Sequence, residues 1–182
     1  MLYVIAGLIL LIFGTNAFSA YAAVRKPAKK SPLNPTIPYD ILFNTYSAIH
    51  GVSKRLMVSI VRQESNFNAK AINQETEADK RKGRNVSSLG LAQILYPDTA
   101  QSLRPGITES ETMIPETNLK MAYELMSGLL RAYPRKDSSG FPSYAVAAYN
   151  AGSPRFLGNG TFVNQAYVDS VRIHWENYSY VS

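Results

Sequence analysis

A chain of 182 residues, 46% of them hydrophobic, can bury one ordinary core and is too short for two comfortable domains. It contains no cysteine, which removes a disulfide framework and any cysteine-based metal site. Arg25, Lys26, Lys29 and Lys30 supply four of the six units of its net charge of +6, and the remainder carries 15 basic and 13 acidic residues, a near balance that argues against a dedicated nucleic-acid-binding face.

Residues 2–13 (LYVIAGLILLIF) are apolar and uncharged, and the small residues of Ala17–Ala23 include the A-x-A-like site Ala20-Tyr21-Ala22. This pattern predicts an export segment over 1–23. Its uncharged run extends to Val24 and its start carries no Lys or Arg, so it reads either as a cleaved signal peptide or as a membrane anchor. Both readings put the domain in the periplasm or cell envelope. Residues 24–38 combine the basic cluster with Pro27, Pro32, Pro35 and Pro38, which predicts an extended, charged linker. A single globular domain, mainly α with little strand, is expected over 39–182.

Within it the first predicted helix covers about 40–50, capped by Asp40 and stopped by Gly51, and the second runs from Ser53 to about Ser65. Residues 68–88 are polar, charged and without apolar period, so they are expected to form a long exposed loop. A short helix near 90–95, another from Pro97, a long one at 115–133, one at 142–150 and a last one at 162–177 complete the prediction. No internal repeat or run of alternating strands is present.

Met57, Ile60 and Val61 form an apolar stripe at helical spacing, and its next position is Glu64. A carboxylate on a face meant for burial has its ionised form disfavoured, which suits a general acid working near neutral pH. Alone, such a Glu is more often a helix-end residue reaching solvent or a partner of a cation such as Arg62.

The surrounding motifs are more specific. Residues 60–71 (IVRQESNFNAKA) resemble the Glu-Ser motif of the transglycosylase domain of soluble lytic transglycosylases. Residues 88–100 (SLGLAQILYPDTA) resemble its Gly-Leu-Met-Gln motif with the Pro-x-Thr-Ala continuation. Asn118 stands where the family begins a helix with Asn, AYNAG at 148–152 is a full match, and Tyr167-Val168 with Val171 resembles the closing Tyr-Val motif. Five motifs in the family's order are a specific signal where any one would be weak.

The resemblance implies a lysozyme-like fold of the α+β class and a peptidoglycan-cleaving enzyme without cofactor or metal, with Glu64 as catalytic acid and base. Ser88, Gln93, Tyr149, Asn150 and Tyr167 are implied as substrate-binding residues. Gln93 would contact sugar N-acetyl or hydroxyl groups, and Tyr149 would point its hydroxyl towards Glu64 and the substrate. The implied partner is the peptidoglycan glycan strand. A small exported enzyme of this kind suits local wall opening for secretion, conjugation or pilus machinery, the favoured setting, and a phage lysis or entry enzyme would share the same sequence features. Read from the residues alone, Ser65 is placed to fix the end of the Glu64 helix, Gln93 is equally a polar residue of an exposed face, Tyr149 a buried phenol near a helix stop made by Asn150 and Gly152, and Tyr167 a core residue of the last helix.

The sequence departs from the family pattern at Ala92, which replaces Met, at Tyr96, an added residue before Pro97, and at Ala122 and Leu125, which replace Gly and Tyr. The stretch from Glu64 to Gln93 is longer than the family's, with the excess inside 68–88. That loop carries Glu75, Glu77 and Asp79, any of which could position a water and make the enzyme a hydrolysing lysozyme. A non-catalytic wall-binding or assembly factor is the third reading. It gains nothing from an acid on the buried stripe.

Overall fold

Seven helices and three short strands make up the residues described by this computed structural model, which are 37–74 and 86–178. The expected export segment, most of the 24–38 linker and the three acidic residues of the long loop fall outside them. The elements are α1 (Asp40–His50), α2 (Lys54–Ser65), β1 (Ile72–Gln74), β2 (Ser87–Leu89), β3 (Ile94–Tyr96), α3 (Asp98–Leu103), α4 (Glu109–Thr112), α5 (Pro115–Ala132), α6 (Ser143–Ala151) and α7 (Gln165–Glu176). The architecture is mainly α, as the periodicity predicts. Among the described residues no helix is long and apolar enough to cross a membrane.

The amphipathic pattern of α2 explains its central place. Met57, Ile60 and Val61 are fully buried, and α7 packs along it. On its other side α1 packs against α5, where the buried Tyr123 hydroxyl donates to the Phe43 carbonyl at 2.9 Å. This bond satisfies the phenol in a site water does not reach. Ala145, Ala147 and Ala148 of α6 are buried, and their small side chains let α6 lie close to α5 and α7.

Several predicted boundaries shift for identifiable reasons. The left-handed residue before α1 is Tyr39, so Asp40 is already inside the helix; its carboxylate accepts from Asn44 and pairs with Lys54 at 2.5 Å instead of capping. Gly51 ends α1 with φ +65°, as expected. The predicted helix near 90–95 does not form. Gly90 (φ +73°) and Gln93 (φ +49°) leave the right-handed helical region, and Ile94–Tyr96 instead pairs with Ser87–Leu89 as β3. The expected 68–88 loop begins and ends in strands: β1 and β2 are its antiparallel arms, giving the sheet order β1-β2-β3. Asn118 does not open its helix, which starts at Pro115, a favoured first helical residue. Residues 162–164 precede α7 because they close a hairpin, with Phe162 bridged to Phe156 and the Val163 amide donating to the Arg155 carbonyl.

Candidate active site

The last turn of α2 presents Glu64 to a groove of about 380 Å³ whose lining also includes Asn73, Ser88, Gln93, Tyr149 and Asn150. Glu64 is half-buried at the end of the apolar stripe. It is the only carboxylate among the described residues that line the groove. The Tyr167 hydroxyl, from the first turn of α7, donates to its Oε1 at 2.6 Å. This joins residues 103 positions apart through the packing of α7 on α2.

The sheet supplies one wall. Asn73, Ser88 and Leu95 are paired in register across the three strands, so their side chains share a face, and all three line the groove. Leu125 of α5 and Thr99 of α3 add to the lining.

Between β2 and β3 lies a turn, Gly90–Gln93, that is tied on every side. Ser65, next to Glu64, donates its Oγ to the Leu91 carbonyl at 2.7 Å. The Tyr149 hydroxyl donates to the Ala92 carbonyl at 2.9 Å. Asn118 is fully buried; its Oδ1 accepts from the Ala92 amide at 2.8 Å, and its Nδ2 donates to the carbonyls of Leu89 at 2.8 Å and Thr112 at 3.0 Å. Gly90 is the residue this approach demands, because a Cβ there would sit 2.7 Å from Asn118 Nδ2.

These bonds add detail to two expectations. Tyr149 lines the groove close enough to Glu64 for the carboxylate to act on its hydroxyl, whose proton goes to the Ala92 carbonyl, and Tyr167 donates to Glu64. Gln93 reaches the groove with both N–H donors of its amide already spent: its Nε2 donates to the Gly90 carbonyl at 2.8 Å and to the Ala71 carbonyl at 3.2 Å. Its Oε1 accepts from Asn73 Nδ2 at 2.7 Å, which leaves one lone pair to offer a ligand. Asn150 is exposed on the rim, and its Oδ1 accepts from Asn164 Nδ2 at 2.9 Å. Ser88 is half-buried on the central strand.

Asn73 carries no weight in the sequence reading, and Asn118 enters it only as the residue at a family helix start. Asn73 sits in a polar stretch that looked like loop, and only strand register reveals its face. Asn118 sits on a helix among apolar neighbours, where a polar residue gives no sign of three buried partners.

The electrostatics keep both phenols protonated. Burial, reinforced by the Glu64 carboxylate, holds the Tyr149 hydroxyl well above its ordinary range. The same two causes, with the hydrogen bond to Glu64, do so for Tyr167. Both are therefore donors and not bases at any ordinary pH.

A larger cleft of about 510 Å³ opens elsewhere, between Tyr46, Arg104, Ile107 and Lys120. Glu111 and Glu116 face it, but Glu111 is engaged by Thr108 in a capping box and Glu116 accepts from Tyr46 at 3.3 Å. In the groove with Glu64 the lining acid is held by a phenol from a different helix.

A small helical domain with a short antiparallel sheet at one wall of its groove, and one carboxylate held by a phenol on that groove, is lysozyme-like in class. The chain belongs to the Transglycosylase SLT domain family, whose model matches residues 41–160. Among solved structures it is similar to the 70 kDa soluble lytic transglycosylase of Escherichia coli, at 23% identity and a TM-score of 0.49, over 78% of this chain and 19% of that one. It is also similar to an inactive mutant of the lytic transglycosylase Slt of Pseudomonas aeruginosa, at 16% identity and a TM-score of 0.48, over 79% of this chain and 21% of that one. A complex of the 70-kDa soluble lytic transglycosylase with bulgecin A matches at 20% identity and a TM-score of 0.48, over 79% and 21% of the two chains. The chain thus spans about a fifth of the length of these proteins.

Proposed function

We propose that the protein is a peptidoglycan lytic transglycosylase in which Glu64 is the only catalytic carboxyl group. The observation that carries the reading is that a half-buried Glu64, hydrogen-bonded by Tyr167, is the one acid among the described lining residues of the groove. Glycosidases that lack a second carboxylate rely on the substrate itself. Glu64 in its acid form gives its proton to the oxygen linking N-acetylmuramic acid to N-acetylglucosamine, and the bond from that oxygen to the muramoyl C1 breaks. The muramoyl N-acetyl group stabilises the positive charge left at C1. The Glu64 carboxylate then takes the proton of the muramoyl C6 hydroxyl, O6 bonds to C1, and a 1,6-anhydromuramoyl end forms. No water is consumed and Glu64 is again an acid.

Tyr167 orients the carboxyl group through both steps and stabilises the carboxylate between them, because a phenol that stays protonated remains a donor. Ser88, Gln93, Tyr149 and Asn150 line the sugar-binding wall, with Gln93 limited to an acceptor role. The expected setting is the cell envelope, reached through residues 1–23, with local wall opening as the task.

Mass spectrometry of the muropeptides released from purified peptidoglycan by the wild-type protein and by Glu64→Gln tests the proposal. Anhydromuramoyl ends that disappear in the variant are the expected result. Reducing muramic ends would assign a lysozyme-type hydrolysis and implicate the acidic residues of the long loop; no release by the wild-type protein would favour wall binding without catalysis.

A further inference from the structure

We propose that Asn118, which does not line the groove, is a positioning residue for the reaction, acting through the Gly90–Gln93 turn. The inference rests on the groove being the glycan-cleaving site. Its basis is the way bonds converge on one short segment. Four helical side-chain contacts meet there: Ser65 of α2 on the Leu91 carbonyl, Tyr149 of α6 on the Ala92 carbonyl, and Asn118 of α5 on both the Ala92 amide and the Leu89 carbonyl. Gln93, which ends the turn in a left-handed conformation, folds its amide back onto the Gly90 carbonyl.

Among these residues Asn118 alone is fully buried, and it holds the turn at Ala92, the end of β2 at Leu89 and Thr112, the residue that ends α4. It therefore fixes the turn relative to α5 and α4, whereas Ser65 and Tyr149 fix it relative to the groove. Ser65 is the chain neighbour of Glu64, so a shift of the Leu91 carbonyl is passed to the end of α2. Tyr149 follows the Ala92 carbonyl directly. A movement of the turn thus alters both the acid and the wall facing the sugar.

The side chain at 118 has to be an asparagine for this task. Two carbonyls face its Nδ2 and an amide N–H faces its Oδ1, so both donors and an acceptor are needed at one branch point. Aspartate would turn an oxygen towards two carbonyl oxygens, and leucine would leave the Ala92 amide and two carbonyls buried without partners. A Cβ at Gly90 would sit 2.7 Å from Asn118 Nδ2, so the turn approaches the asparagine this closely only with glycine there.

The test compares kcat and KM on a soluble glycan oligomer for the wild-type protein, Asn118→Ala, the milder Asn118→Ser, and Phe43→Leu. Phe43 is a fully buried residue of α1 that neither lines the groove nor ties the turn, and gives a destabilised control. All are assayed well below their melting temperatures. For a site displaced by a fraction of an ångström to about 1 Å, kcat is expected to fall about 10- to 100-fold in Asn118→Ala and less in Asn118→Ser, with KM changed by less than about threefold. Phe43→Leu should keep wild-type kcat despite its lower melting temperature. Variants that lose kcat only in proportion to their unfolded fraction, or that fail to fold at both substitutions, make Asn118 a residue of stability alone and overturn the proposal. An inactive wild-type protein would instead remove the glycan-cleaving reading, and this inference with it.

Discussion

The turn at the groove and the seam behind α7 do the same job with opposite chemistry. Both hold neighbouring elements together. At the turn the ties are neutral amides and phenols, largely shielded from water, converging on the carbonyls and amide of residues 89–92. At the seam they are charges and aromatic faces. Arg55 lies 3.7 Å from the centroid of the Trp175 ring and donates to the Trp175 carbonyl at 2.5 Å, Arg172 lies over Phe141, and Asp137 pairs with Arg172. A buried neutral bond has no water to replace its partner, so it holds geometry tightly; a part-exposed charged contact gives stability while tolerating movement. The groove should therefore lose activity when altered and the seam should lose stability.

The largest effect expected is at the acid itself. Glu64→Gln keeps an oxygen for the Tyr167 hydroxyl but cannot exchange the proton, and turnover of peptidoglycan should fall by about 10³-fold or more with an unchanged melting curve. Next comes Gly90→Ala, which combines a positive φ with a Cβ driven into Asn118. A loss of about 2–4 kcal/mol in chemical denaturation is expected, together with most of the activity. Wild-type stability in that variant would mean the turn is looser than its hydrogen bonds imply.

Tyr167→Phe removes the donor to Glu64 without removing bulk. A fall in kcat of about 10- to 100-fold is expected, with binding of intact glycan by the Glu64→Gln, Tyr167→Phe double variant close to that of Glu64→Gln alone. Equal activity of Tyr167→Phe and wild type would reduce the tyrosine to a packing residue.

The seam predictions are smaller and concern stability. Burial works against the Asp137 charge, but the hydrogen bonds from Ser139, Arg172 and the backbone outweigh it and lower its pKa from 3.8 to about 2. A carboxylate depressed in the folded state stabilises above its unfolded pKa. That contribution, at most about 2 kcal/mol and less after solvent screening, is present at neutral pH and is lost as the pH falls from about 4 to about 2. Asp137→Asn should be less stable than wild type at pH 7, and the gap should narrow in acid; a constant gap would point to the hydrogen bonds alone. Smallest is Arg55→Ala, with a thermal stability loss of about 1–2 kcal/mol and unchanged kcat.

The elements legible in the sequence are those whose signal is local. The apolar stripe of α2 and its end at Glu64, the stop of α1 at Gly51 and the stop of α6 at Gly152 each rest on residues within two turns of one another. The strands were hidden because three-residue segments carry too little alternation, and because β3 is made by pairing with β2 across the Gly90–Gln93 turn. An apolar run containing leucine, alanine and glutamine looks helical until Gly90 and Gln93 turn left-handed under the ties from α2, α5 and α6. The motifs name residues that the fold brings to one groove, lined by Glu64, Ser88, Gln93, Tyr149 and Asn150. The wiring of that groove was not legible: which phenol donates to Glu64, which faces Ala92 and what Asn118 holds are decided by contacts between residues 26 to 103 positions apart.

The most direct test of a one-carboxylate groove is to digest peptidoglycan in water enriched in ¹⁸O and weigh the new glycan ends. Transfer to the substrate's own O6 predicts anhydro ends that carry no ¹⁸O. One ¹⁸O atom at each new end would mean that water attacks C1, and would contradict the account.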